Sequence, residues 1–143
     1  MVKKFASQND MDEKTISFTE IGEGLYAFTA EGDPNSGVII GDESVMVIEA
    51  QATPLLAEKV IAEIRKVTDK PITHIVLTHY HAVRVLGAST YGANEIIMSD
   101  TARSMVVERG QEDVADKMDN PRGSLRNNIM MMHTVAPSSA RRS

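Results

Sequence analysis

An α/β fold, with a mixed sheet covered by helices on one face, is what this sequence predicts, and three observations predict it. Two short apolar runs, Val38-Ile39-Ile40 and Val45-Met46-Val47-Ile48, are joined by Gly41-Asp42-Glu43-Ser44, which is the clearest hairpin signal in the chain. The second run leads into a stretch with apolar residues at helical spacing and then into a third run, Ile75-Val76-Leu77, giving the strand–helix–strand order of an α/β unit. These three runs are continuous rather than alternating, the pattern of strands buried on both faces.

The elements follow in order. Residues 1–14 are polar and charged and are expected to form a loose arm. Ile16 and Phe18 alternate with Ser17 and Thr19, which suits a half-buried strand, and Gly22-Glu23-Gly24 breaks it before a second strand from Leu25 to Ala30. Glu31-Gly32-Asp33-Pro34-Asn35 is a turn-rich loop ahead of the hairpin. Thr53 can cap a helix and Pro54 fits its first position, where a missing N–H costs nothing. Leu56, Val60, Ile61, Ile64 and Val67 make its apolar stripe, Arg65 and Lys66 favour its C-terminal dipole, and Lys70-Pro71 stops it. Gly87-Ala88-Ser89 opens a short helical turn, Glu95 to Met98 reads as a buried strand, and Ser99 or Asp100 can cap a helix to about Arg109, where Gly110 interrupts and a second piece through Val114 and Met118 can continue it. Folded structure is expected over 15–118. Beyond it, 119–143 is poorly specified: Asn120-Pro121-Arg122-Gly123 is a breaker, Asn127 to His133 can form a strand, and Ala136 to Ser143 resembles a disordered tail.

The chemistry-bearing stretch is Thr78-His79-Tyr80-His81-Ala82-Val83-Arg84, directly after the third apolar run. In extended chain, side chains at i and i+2 project to one side, so His79 and His81 can share a divalent metal, with nitrogens about 2.0–2.1 Å from zinc. His74 lies inside the preceding strand and reads as a structural or surface residue. Glu49 and Gln51 follow the strand Val45 to Ile48. A carboxylate there can orient a ligand histidine from behind.

These pieces, in this order, resemble the N-terminal half of a metallo-β-lactamase-fold protein from Ser17 to about Met118. The family motif is H-x-H-x-D-H. His79 and His81 match its first two histidines, while Val83 stands at the aspartate and Arg84 at the last histidine. The resemblance implies that the first metal keeps two ligands and the second loses both of its ligands here, so at most one zinc per chain is expected. It also implies a downstream histidine as a third ligand, for which His133, followed by Thr134, is the candidate. A complete fold of this family has a second half with its own sheet, which the sequence does not supply.

Val83 cannot ligate a metal or take a proton. Arg84, permanently cationic, would repel a second metal, but its planar donor fork suits a carboxylate or phosphate on a substrate. No catalytic residue is assigned. The resemblance therefore implies metal-assisted hydrolysis of a lactam, ester or thioester, weak or absent for want of the aspartate. The alternative is a non-catalytic binding or assembly module, or a truncated family member.

Composition narrows the surroundings. The net charge of −5 recommends neither general nucleic-acid binding nor an anionic membrane surface, and the absence of cysteine excludes disulfides and thiolate metal sites. No signal peptide or membrane span is legible, which makes a cytoplasmic protein with a small-molecule substrate the expectation. Apolar strands with a helix on only one side predict a homodimer, sheet against sheet.

Overall fold

The computed structural model describes residues 15–116, without the side chains of 82, 83 and 110–116. Six strands form one sheet in the order β1-β2-β3-β4-β5-β6: β1 Ile16–Gly22, β2 Leu25–Ala30, β3 Ser36–Ile40, β4 Val45–Ile48, β5 Ile72–Val76 and β6 Glu95–Ile97. The first four form an antiparallel meander, and β4, β5 and β6 run parallel. Helix α1, Pro54–Val67, carries the chain from β4 to β5. A single helical turn, α2 (Ala82–Val85), and a 3₁₀ turn (Ala88–Tyr91) join β5 to β6, and α3 (Asp100–Asp116) follows.

Local chemistry accounts for most boundaries. The β1–β2 turn needs Gly24, whose φ is +69° and whose added Cβ would lie 2.8 Å from the Ile40 carbonyl oxygen. The β3–β4 hairpin closes through Gly41 N–H donating to the Ser44 carbonyl at 2.9 Å. Thr53 caps α1, its hydroxyl accepting from Leu56 N–H at 3.2 Å, with Pro54 in the first turn. The helix ends at Val67, ahead of Lys70-Pro71, because Thr68 turns to extended backbone while its N–H still donates to the Ile64 carbonyl. Val67, placed on the apolar stripe by spacing, is exposed.

Helix α3 continues through Gly110 to Asp116 without a break, since an interior glycine costs only about 1 kcal/mol. Its start is capped by Ser99, whose hydroxyl accepts from Ala102 N–H at 3.2 Å. The strand before the histidines runs from Ile72 to Val76 and includes His74, and its parallel pairing with β4 has a register shift between Val45 and Met46.

The core lies on one face of the sheet. Phe28, Val38, Val45, Val47, Ile75 and Ile96 pack with Ala57, Val60 and Ile64 of α1, Tyr91 of the 3₁₀ turn and Val106 of α3. On the opposite face Met46, Ile48, Val76 and Ile97 are half-buried, and Leu25 and Ile39 are exposed. The continuous apolar runs thus have full burial on one side only among the described residues. The expected arm (1–14), the segment 119–143 and its strand Asn127 to His133 lie outside the described residues.

Candidate functional site at the histidine loop

Parallel strands end together, so side chains after β4 and β5 converge at one edge, where ligands of open α/β sheets commonly bind. The loop after β5 starts from a firm anchor: Leu77 is buried and its N–H donates to the Ile97 carbonyl at 2.8 Å. Thr78 to His81 then leave the sheet and enter α2, with Arg84 N–H donating to the His81 carbonyl at 2.9 Å. The two histidines therefore stand in a loop beyond the strand end. They still meet: their ring centroids are 4.8 Å apart, edge to face. The Nδ1 of His79 lies 2.8 Å from the Thr78 hydroxyl, a contact that orients the ring and leaves Nε2 out of that bond.

Segment 49–51 holds this loop from behind. Glu49 and Gln51 both adopt left-handed backbone, at φ +67° and +74°, a region that costs side-chain-bearing residues roughly 1–2 kcal/mol each. Both are buried, and the contacts they make explain why the strain is tolerated. One carboxylate oxygen of Glu49, Oε1, accepts from Thr78 N–H at 2.9 Å, the residue just before His79. Gln51 Nε2 donates to the Pro34 carbonyl and to Ser36 Oγ, both at 2.7 Å, and Ser36 Oγ donates on to the Glu49 carbonyl at 2.7 Å. Backbone bonds complete the tie: Ala50 N–H to the Arg84 carbonyl at 2.8 Å and Gly87 N–H to the Gln51 carbonyl at 3.0 Å. The chain approaches so closely at Gly87 that an added Cβ would lie 2.2 Å from the Ala50 carbonyl oxygen.

The structure thus brings Glu49, His79, His81 and Arg84 to one edge. Arg84 is a third exposed, and its Nε lies 4.0 Å from Glu49 Oε2, an oxygen that is buried and has no hydrogen-bond partner among the described residues. His74 sits apart in β5, with its Nδ1 2.7 Å from the Thr73 hydroxyl and its Nε2 3.7 Å from Glu95. His133 lies outside the described residues. Three side chains, Ser36, Gln51 and Arg109, are given no role by the sequence reading. Gln51 and Ser36 are unremarkable polar residues in sequence, and their bond joins positions 15 apart, the start of β3 and the segment after β4. Arg109 of α3 lies 4.6 Å from the centroid of the Tyr80 ring, which in turn meets His81 edge-on at 5.0 Å, so α3 buttresses the loop.

A zinc ion suits these donors in type but not in number. Two neutral imidazoles can hold one, yet a catalytic zinc takes three protein ligands. Among the described residues, no group of three or more histidine, aspartate or glutamate side chains is placed to hold a metal. No helix there is long and apolar enough to cross a membrane.

Comparison with known proteins agrees with this geometry. Residues 29–88 match the family model of the metallo-beta-lactamase superfamily. A linear primary-alkylsulfatase from a Pseudomonas species is 29% identical over 97 residues, which are 68% of this chain and 17% of that protein. The metallo-beta-lactamase of Hirschia baltica superposes with a TM-score of 0.59 at 18% identity, over 68% of this chain and 49% of its own. The FIM-1 metallo-beta-lactamase of Pseudomonas aeruginosa, in a mono-zinc form, gives 0.60 at 16% identity, over 71% and 49%. The chain therefore spans about half the length of these solved structures and less of the sulfatase. With the six-stranded mixed sheet, the order of its elements and the histidine pair at its edge, these likenesses show a metallo-beta-lactamase-like fold, with residues 29–88 matching that superfamily's model.

Proposed function

We propose that this chain is a hydrolase-type member of the superfamily that works through at most one zinc ion, held by His79 and His81, on a lactam, ester or thioester. The observation that carries the reading is the pair of imidazoles, 4.8 Å apart, at the carboxyl edge of parallel strands, with His79 oriented by Thr78. Glu49 acts on the site from behind by fixing the backbone at Thr78. Arg84 faces the substrate, and His133 is the proposed third ligand. When bound, the metal would polarise the scissile carbonyl and supply an activated water. The chain's own residues would hold that metal, fix the loop and bind the substrate.

The valine at position 83 removes the carboxylate that the family uses at this point, so turnover is slow. A second reading, a non-catalytic binding module on the same scaffold, is favoured by Val83 and Arg84 at the positions of the family's aspartate and last histidine. Elemental analysis of protein purified without a histidine tag, combined with hydrolysis of β-lactam and ester probes, tests both. The expected result is up to one zinc per chain, lost in the His79→Ala/His81→Ala variant, with a kcat far below the order of 10 per second typical of enzymes. Val83→Asp with Arg84→His should raise the rate. Two metals per chain, or full zinc retention in the double variant, would overturn the assignment.

A further inference from the structure

We infer that Arg84 forms a metal-independent subsite for an oxyanion, a carboxylate or sulfate group on the ligand, and that Glu49 is a built-in counter-charge that sets its affinity. The inference deepens the reading above by naming the ligand class at the same loop. Its first support is the way Arg84 is held. The backbone is bonded on both sides, N–H to the His81 carbonyl and carbonyl to the Ala50 N–H, so the side chain springs from a fixed point beside the histidines. Its second support is what the guanidinium does with its donors. At 4.0 Å the contact to Glu49 is too long for a hydrogen bond, which is why Glu49 Oε2 remains without a partner. Attraction between the two charges remains, but no N–H of the fork is consumed by it.

The other arginines with described side-chain contacts differ. Arg65 spends its Nη1 on the Thr68 and Lys70 carbonyls, and Arg109 lies over the Tyr80 ring. Arg84, a third exposed, presents its terminal nitrogens with no hydrogen-bond partner among the described residues. A planar fork with free donors, anchored at its base and oriented by a carboxylate beside Nε, is the arrangement that takes two oxygens of a carboxylate or sulfate in parallel. Because Glu49 is fixed by Thr78 N–H, it cannot swing away. It lowers the affinity of Arg84 for an external anion by its charge alone.

The test is a titration of the full chain, in the presence of a chelator, with acetate and separately with methyl sulfate, chloride serving as the ionic-strength control. The Nε–H resonance of Arg84, identified by its loss in Arg84→Lys, reports binding at the residue itself, and the backbone amide resonances of residues 79–86, present in every variant, give the affinities compared between variants. The unaltered protein should show a saturable shift, and the better of the two anions identifies the ligand group. Glu49→Gln keeps the acceptor for Thr78 N–H and removes the charge, so it should tighten anion binding by at least about threefold, the scale of a partly exposed ion pair. The neutral pair Glu49→Gln/Arg84→Met leaves no buried unpaired charge, and it should weaken binding by more than about tenfold relative to Glu49→Gln alone. Equal affinity in that double variant, or unchanged or weaker binding in Glu49→Gln, would show the pair to be a structural latch and overturn the proposal. Anion binding that appears only after zinc is added would assign the anion to the metal instead and also overturn it, while loss of the metal reading alone leaves the chelator-resistant titration intact.

Discussion

Replacing Glu49 by glutamine, alanine and glycine separates the two things this residue does, namely accepting a hydrogen bond and occupying left-handed backbone. In Glu49→Gln the amide oxygen can still accept from Thr78 N–H, so the loss is the difference between a charged and a neutral acceptor, about 1 kcal/mol. Glu49→Ala removes the acceptor entirely. It forfeits a bond to a charged group, about 1.5–3 kcal/mol, and leaves the Thr78 N–H in a part-buried setting without its partner. Alanine retains the Cβ that makes φ +67° unfavourable, so no strain is recovered. Glu49→Gly loses the same bond but relieves roughly 1–2 kcal/mol of backbone strain, offset in part by about 0.5–1 kcal/mol of extra unfolded-state entropy. Stability should therefore fall in the order unaltered, Gln, Gly, Ala, with glycine tolerated better than alanine, the reverse of the order inside regular helix or strand. Urea unfolding at constant m reads this directly: at 1–3 kcal/mol per molar, a loss of about 2.5 kcal/mol shifts the midpoint by roughly 1 M or more. If glycine proves clearly worse than alanine, the left-handed strain at this residue is not what the variants measure, and the reasoning fails.

Gly87→Ala should be strongly destabilising, by about 3 kcal/mol or more in the same unfolding assay. Its Cβ would meet the Ala50 carbonyl oxygen at 2.2 Å and the Ala57 side chain at 3.0 Å, and a change under 1 kcal/mol would show the backbone approach to be loose. Tyr91 is buried with a hydroxyl that has no hydrogen-bond partner among the described residues, and burial raises its pKa above the ordinary 10.0. With the folded value above the unfolded one, the stability it contributes is intact below pH 10 and declines as the pH rises past 10, when only the unfolded chain releases the proton. Tyr91→Phe should flatten that alkaline decline and be neutral or stabilising at pH 7, as stability measured from pH 7 to 11 will show; an unchanged alkaline slope would rule Tyr91 out as its source. The half-exposed face bearing Leu25, Ile39, Met46, Ile48, Val76 and Ile97 is proposed to meet its own copy across a two-fold axis. Light scattering over a dilution series should give a dimer at tens of micromolar, and a monodisperse monomer would refute it.

Local chemistry made the elements legible in the sequence. Thr53-Pro54 and the stripe Leu56, Val60 and Ile64 define α1, the apolar pairs around Gly41 to Ser44 define the hairpin, and the H-x-H spacing after an apolar run marks the edge where the site lies. Each depends on residues within one or two turns of chain, and so each can be read without a fold. Tertiary structure decided what joins distant positions. The Ser36–Gln51 bond and the Glu49–Thr78 bond span 15 and 29 residues, and neither has a spacing or residue type that announces it. The left-handed backbone at Glu49 and Gln51 was equally silent, since no glycine marks it and only the surrounding bonds hold it in place. Continuous apolar runs suggested burial on two faces, yet apolarity reports only that a surface tends to avoid water. Which face the helices cover follows from the crossover of α1 and the packing of α2, the 3₁₀ turn and α3, contacts that exist only once the sheet has formed.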